Sequence, residues 1–272
     1  MEKNRSNSTL RQLQLVELET LKSFVDLCDN NDIRYYIIGG ALIGAVRHGG
    51  FIPWDDDIDI AMPRKDYNKL IDIMHITDDE VLGMEYYKDD ESLYFYPVRI
   101  TNKKYCIKEP RRKEGYSHPW MDILPIDGLP DGRVRKNLFK IKMNYYRLLL
   151  GLHYVENLRN VNRSRVQLAV IKIGKATHVG RLINPTIIKD KITKTLSANS
   201  MEDCEMAGTC MGAYFFHEFT KTEYFGEGSE ITFEGIKVKC PEQIHPYLTH
   251  MYGDYMQLPP VEKRTSHKIE FL

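Results

Sequence analysis

No stretch of this 272-residue chain stays apolar over the roughly 18 residues that a membrane-crossing helix needs. The first residues, Met1-Glu2-Lys3-Asn4-Arg5-Ser6, lack the apolar core of a secretory signal, which predicts a cytoplasmic setting. Cysteine is scarce. The five residues (Cys28, Cys106, Cys204, Cys210, Cys240) are odd in number and widely scattered, which fits reduced thiols rather than a disulfide framework. Cys204-x5-Cys210, with His217 and Cys240 beyond, departs from the close C-x2-4-C spacing of zinc sites. There is no G-x-S-x-G elbow and the cysteines lack a neighbouring base, so a nucleophilic hydrolase has no support. Net charge is absent too, with Lys+Arg 38 against Asp+Glu 38.

That balance conceals an asymmetry. Between Arg133 and Arg181 stand 12 Lys/Arg against one acid, Glu156, a net of +11, leaving −11 on the rest of the chain. The segment reads as helical over 134–152, 165–177 and 185–196. Two uses fit it: a solvated basic face packed on the core, or a peripheral surface within 133–181 that meets anionic lipid or a polyprenyl-diphosphate-linked glycan. No recognised nucleic-acid motif accompanies the charge, so no nucleic acid is expected.

What is present concentrates in Tyr35–Arg64, YYIIGGALIGAVRHGGFIPWDDDIDIAMPR. An apolar run ends at Gly39-Gly40, and small residues then suggest a helix starting straight off the glycines. After Gly49-Gly50 and Pro53, Asp57-Ile58-Asp59-Ile60-Ala61 reads as a second strand. Alternation sends Ile58 and Ile60 to the core and Asp57 and Asp59 to the opposite face. Adjacent carboxylates repel unless a cation neutralises them, and Mg²⁺ (or Mn²⁺) takes carboxylates together with substrate phosphate oxygens. Gly39 and Gly40 bare backbone N–H groups at a helix start, where phosphate binds well. Arg47 is a candidate phosphate clamp or a salt-bridge partner of the aspartates, and Arg64 carries the same two readings. Asp55 can share the face of Asp57.

Elsewhere, a helix capped by Ser8 or Thr9 is expected to run to Asn30-Asn31 and to serve packing alone. Pro63 opens another helix, from Arg64 to about His75. Residues 94–100 and 104–107 read as neighbouring strands, Trp120–Gly128 as a short strand with Asp127 at its turn, and 231–239 as a hairpin turning at Glu234-Gly235. A helix starting at Pro241 ends at Gly253.

The string GGxLxGxVRxxGxIPWDDDIDIxMPR resembles the LicD family of phosphotransferases, whose distant relatives include fukutin, and the nucleotidyltransferase fold. Trp120-Met121-Asp122-Ile123-Leu124-Pro125-Ile126-Asp127-Gly128 is similar to a D-I-x-P-x-D-G segment of that family. Tyr252-Gly253-Asp254-Tyr255-Met256-Gln257-Leu258-Pro259-Pro260 resembles its closing segment, with Arg264 and His267 behind it as candidate phosphate contacts. The likeness implies an α/β (α+β) mixed-sheet core with flanking helices and a basic helical insertion. We expect a catalytic core over 1–132, a basic helical segment over 133–205 and a mixed segment over 206–272 packing back on the core.

The resemblance further implies a third carboxylate, Asp122, beside Asp57 and Asp59 as catalytic and metal-binding residues. It implies a CDP-activated donor, most often CDP-choline, and an acceptor hydroxyl on a glycan or teichoic acid precursor, lipid-linked in kind. Trp54 and Trp120, with Tyr94, Tyr96 and Tyr116, are the aromatics near the site that would face a quaternary ammonium or else fill the core. Nucleotidyl transfer from an NTP, and a non-catalytic metal- or nucleotide-binding subunit, are the alternatives.

Overall fold

The computed structural model describes residues 2–109, 115–154, 172, 175–260, 262, 264 and 271–272. The expected helix at 165–177 falls mostly outside them, as does His267. Helix α1 (Glu2–Asn30) begins before the expected caps, and it buries Leu13, Leu21, Phe24 and Cys28 at helical spacing. Strand β1 (Tyr36–Ile38) passes directly into α2 (Gly39–His48), which stops at Gly49 in the left-handed conformation. Strand β2 (Asp59–Pro63) starts two residues later than the sequence suggested and runs without a break into α3 (Arg64–Ile76).

Strands β3 (Leu82–Glu85) and β4 (Val98–Asn102) follow, then β5 (Ile107–Lys108), β6 (Tyr116–Ser117) and the ten-residue β7 (Trp120–Leu129). The strand expected at 94–100 is shifted, because Pro97 has no N–H to give the ladder and β4 begins only after it. Residues 107–108 pair with β6 rather than with β4. Helix α4 (Arg133–His153) leads on to α5 (Pro185–Leu196), which is capped by the Asn184 side chain accepting from the Ile187 N–H at 3.1 Å. Strands β8 (Met206–Gly208) and β9 (Thr220–Lys221) precede the hairpin β10 (Ser229–Phe233) and β11 (Ile236–Cys240), which turns at Glu234-Gly235. The last helix, α6 (Ile244–Tyr252), starts after the expected Pro241. The N–H groups of Glu242 and Gln243 are committed to the carbonyls of Phe225 and Tyr224, which keeps those residues outside the helix. Among the described residues no helix is long and apolar enough to cross a membrane.

The mixed sheet has the order β1-β2-β7-β4-β3, with β8 and β9 joined to the C-terminal end of β7. Only β2 and β7 run parallel among these pairs. The register creates two neighbouring rows of opposite character. Ile37, Ile60, Ile123 and Val98 are paired across four strands and fully buried. Burial of each such side chain contributes roughly 1.5–3 kcal/mol. The adjacent row pairs Ile38, Asp59, Asp122, Arg99 and Glu85. Successive residues point to opposite faces, so the charged row faces away from the apolar one. Helix α1 packs on the apolar side, where the Asn102 amide donates to Thr20 Oγ1 at 3.2 Å.

Asp127 is no turn residue. It lies within β7, fully buried, and accepts two bonds from Arg64, Nε to Oδ1 at 2.8 Å and Nη2 to Oδ2 at 2.5 Å.

Candidate active site

The segment entering β2 alternates: Asp55, Asp57 and Asp59 are partly exposed, while Asp56, Ile58 and Ile60 are buried. One carboxylate oxygen from each of Asp55, Asp56 and Asp57 lies within 4.8 Å of the others. The start of α2 is built around these groups. Gly39 has φ +61°, and a Cβ there would sit 2.9 Å from Asp59 Oδ2. A Cβ on Gly40 would meet Asp55 Oδ2 at 1.9 Å. Both glycines thus leave room for carboxylates against the helix N-terminus, where the bared N–H groups favour negative charge.

Asp122 stands opposite Asp59 on β7. Burial first, then the charges of Asp57, Asp122, Asp55 and Glu218, push the Asp59 carboxyl well above the usual carboxylate range. The structure therefore gathers Asp57, Asp59 and Asp122 with Asp55.

Three contributors escaped the sequence reading. Arg99, next in the row, donates from Nε to Asp122 Oδ1 at 3.0 Å. Its guanidinium lies 3.8 Å from the centre of the Phe95 ring and 4.0 Å from that of Trp120. Among the described residues its buried Nη1 meets no hydrogen-bond partner. Glu17 of α1 is 2% exposed, and its Oε2 likewise meets no partner among the described residues. Burial, followed by Asp57, Asp56, Asp55 and Asp59, raises its pKa far above normal. One turn earlier, Gln14 Nε2 donates to Asp55 O at 2.9 Å, so α1 holds the aspartate segment as well as packing on the sheet. The signal was present: Glu17 sits between Leu13 and Leu21 on the apolar stripe, where a carboxylate needs a reason. The third contributor is the C-terminal side. Tyr252, with its pKa raised by burial and then by Tyr214, feels Asp59, Glu218 and Asp55, and its ring meets that of Tyr214 edge-on at 5.8 Å. Glu218 is buried with its pKa raised, accepting from the Tyr214 N–H at 2.7 Å and from the Thr209 hydroxyl.

The remaining expected residues are placed as follows. Arg47 donates from Nη1 to Tyr255 O at 2.9 Å, and among the described residues its Nε meets no partner. Burial and then the charge of Arg264 lower its pKa, against Asp55. Arg264 lies 4.7 Å from the Trp54 ring centre and donates to Pro259 O at 2.9 Å. The two motif-bearing ends of the chain thus meet over the aspartate segment. Arg64 is taken up by Asp127, and Trp120 by Arg99. Tyr96 is core, its hydroxyl against Thr193 Oγ1 at 2.8 Å, while Tyr116 is exposed on β6. Cys204 lies against Gly128 and Cys240 against Ser229 Oγ.

A family profile described as LicD/FKTN/FKRP, nucleotidyltransferase domain, matches residues 32–170. The chain is 32% identical over 271 residues to the lipopolysaccharide cholinephosphotransferase LicD of Haemophilus influenzae, covering 96% of this chain and 97% of that protein. It is 42% identical over 48 residues to the ribitol 5-phosphate transferase FKRP of Homo sapiens, 18% of this chain and 10% of that protein. A profile match across half of the chain, and identity at this level along nearly all of it, make this chain a member of the LicD family.

Proposed function

We propose that this protein is a metal-dependent phosphotransferase. It would move phosphocholine, or a related phospho-alcohol, from a CDP-activated donor to a sugar hydroxyl of a cell-surface glycan or teichoic acid precursor, releasing CMP. The observation that carries the reading is the charged row Asp59–Asp122–Arg99 beside Asp55 and Asp57, set against the start of α2.

The carboxylates Asp55, Asp57 and Asp122 gathered round Asp59 make an all-oxygen donor set, which suits Mg²⁺ or Mn²⁺ and not a softer ion. Burial first, and then the crowding of carboxylates, raise the Asp59 pKa, and a bound cation would relieve the crowding. Asp55, Asp57, Asp59 and Asp122 are the residues that would hold it. Such a cation, when bound, neutralises charge developing on the transferring phosphoryl group.

The chain's own groups supply the rest. The Arg47 guanidinium, which has the charge of Arg264 beside it, would be the cationic group for donor phosphate oxygens, while Arg99 holds Asp122. The acceptor hydroxyl oxygen bonds to phosphorus as the bond from phosphorus to the CMP oxygen breaks, and the hydroxyl proton passes to a carboxylate. Asp122 is assigned that proton, on Oδ2, because Arg99 Nε already holds Oδ1. For a quaternary ammonium, the edge-on pair Tyr214 and Tyr252 is better supported than Trp54 or Trp120, each of which already has a guanidinium over its ring.

Calorimetric titration with CDP-choline, CDP-ribitol, CDP-glycerol and CTP, with and without Mg²⁺, tests the reading on wild type and on Asp57→Ala/Asp59→Ala. Metal-dependent binding of one CDP-alcohol, lost in the double variant, is the expected result. Preference for CTP would replace it with nucleotidyl transfer, and silence from every ligand would favour a non-catalytic subunit or a donor outside this panel.

A further inference from the structure

Helix α4 exposes an apolar stripe. Val134, Leu138, Ile141, Tyr145 and Leu148 are 71%, 61%, 66%, 55% and 48% exposed. Their spacing of four, three, four and three residues puts all five on one side of the helix. Phe139, Met143 and Tyr146, buried on the core, occupy the other side. Aliphatic groups in a continuous row on a surface helix are costly in water and mark a surface that something covers.

The flanks say what covers it. By helical position Arg135 and Lys142 border the stripe along one edge and Arg133 and Lys140 along the other, while Lys136 and Arg147 lie further round toward the core, where the Arg147 guanidinium is 3.7 Å from the Phe215 ring centre. The helix contains no acidic residue. Next to Leu138, a groove of about 430 Å³ between α4 and α5 adds Lys191 and Lys194 to Lys142. At the far end of the helix, His153 bonds to Gly180 of the turn Val179–Leu182, whose Leu182 is 87% exposed.

A second copy of the chain is disfavoured, since two such faces would set like charges against each other. A partner that is apolar within and negative at its surface satisfies both the stripe and its rims. We infer that the outward face of α4 lies in the headgroup region of a bilayer containing anionic phospholipid, with the stripe among acyl chains and the flanking lysines and arginines at the phosphates. The inference is independent of the transferase reading, because lipid binding needs neither donor nor acceptor.

Flotation with vesicles of phosphatidylcholine alone, and of phosphatidylcholine mixed with phosphatidylglycerol, tests it at low and raised salt. Wild type is expected to float with the anionic vesicles only, and less so at raised salt. Lys140→Gln and Lys142→Gln should each weaken binding about five-fold. Leu138→Ser/Ile141→Ser/Leu148→Ser should lose it by more than about ten-fold, with an unchanged melting temperature because these side chains are already in water. Three results would overturn the inference: wild type that stays below the anionic vesicles at low salt, a triple serine variant that floats like wild type, or a sedimentation-velocity dimer that the same serines dissolve.

Discussion

The alanine substitution of Gly40 would separate folding from the ion binding proposed above. No positive φ is required at this position, so alanine fits the backbone and gains up to about 1 kcal/mol of helix propensity. The new Cβ, however, would lie 1.9 Å from Asp55 Oδ2, and real contacts begin above 3.0 Å. The object it meets is the end of a flexible side chain, so the carboxylate swings aside at little energetic cost. It must retreat by about 1 Å, twice the roughly 0.5 Å tolerance of a working constellation. Displacement of that size costs on the order of 100-fold in function. We therefore expect Gly40→Ala to melt within a few degrees of wild type by circular dichroism while losing most of its Mg²⁺ or Mn²⁺ affinity by calorimetry. Gly39→Ala should bind the cation less and also melt lower, because φ +61° costs an L-residue roughly 1–2 kcal/mol and its Cβ crowds Asp59 at 2.9 Å. A Gly40→Ala protein that binds the cation like wild type would refute the reasoning.

Two further predictions concern buried charge away from the carboxylates. Arg64→Ala and Asp127→Ala should each cost about 3–5 kcal/mol in urea unfolding, and the double variant less than their sum, because each single change strands a buried charge; losses below about 1 kcal/mol would mean the pair is dispensable. Lys189, 1% exposed and bonded to Leu93 O at 2.5 Å, is pushed down by burial to about 8. Below pH 8 both folded and unfolded chains carry its proton. Between pH 8 and the ordinary lysine value the unfolded chain binds a proton that the folded chain does not, so this group adds stability as pH rises, by about 3 kcal/mol across the window. Wild type should accordingly gain stability relative to Lys189→Met from pH 7 to pH 10, and a difference independent of pH would contradict the assignment.

The parts legible in the sequence were those governed by local rules. Apolar periodicity, the double glycine and alternation along 55–60 located β1, α2, β2 and the facing aspartates, and the helix expected at about 185–196 is α5. What stayed hidden depended on distant segments. Arg99 and Asp122 are 23 residues apart and become partners only because β4 pairs with β7 in one register. Glu17 meets the aspartates only because α1 lies beneath their segment, and Tyr252 only because the C-terminal part folds back. Asp127 was misread because Asp-Gly is a strong turn signal, which the pairing of β7 with β8 and the ion pair to Arg64 override.

The same pair explains how the charged row is kept in place. Strands β2 and β7 are in register from Asp59 opposite Asp122 to Pro63 opposite Ile126. The next residues along the two strands are Arg64 and Asp127, and these are bonded. One end of the pairing therefore sets like charges together and the other sets opposite charges together. A slip of one residue would turn the slipped strand's isoleucine, Ile60 or Ile123, outward and bury its carboxylate. It would also move Arg64 opposite Ile126 or Gly128 and leave Asp127 buried without its cation, a loss of several kcal/mol. The repulsion at Asp59 and Asp122 favours slippage by itself. The ion pair five residues on, together with the buried row of Ile37, Ile60, Ile123 and Val98, opposes it. Carboxylates can thus be crowded at one end of the parallel pair because the register is fixed at the other.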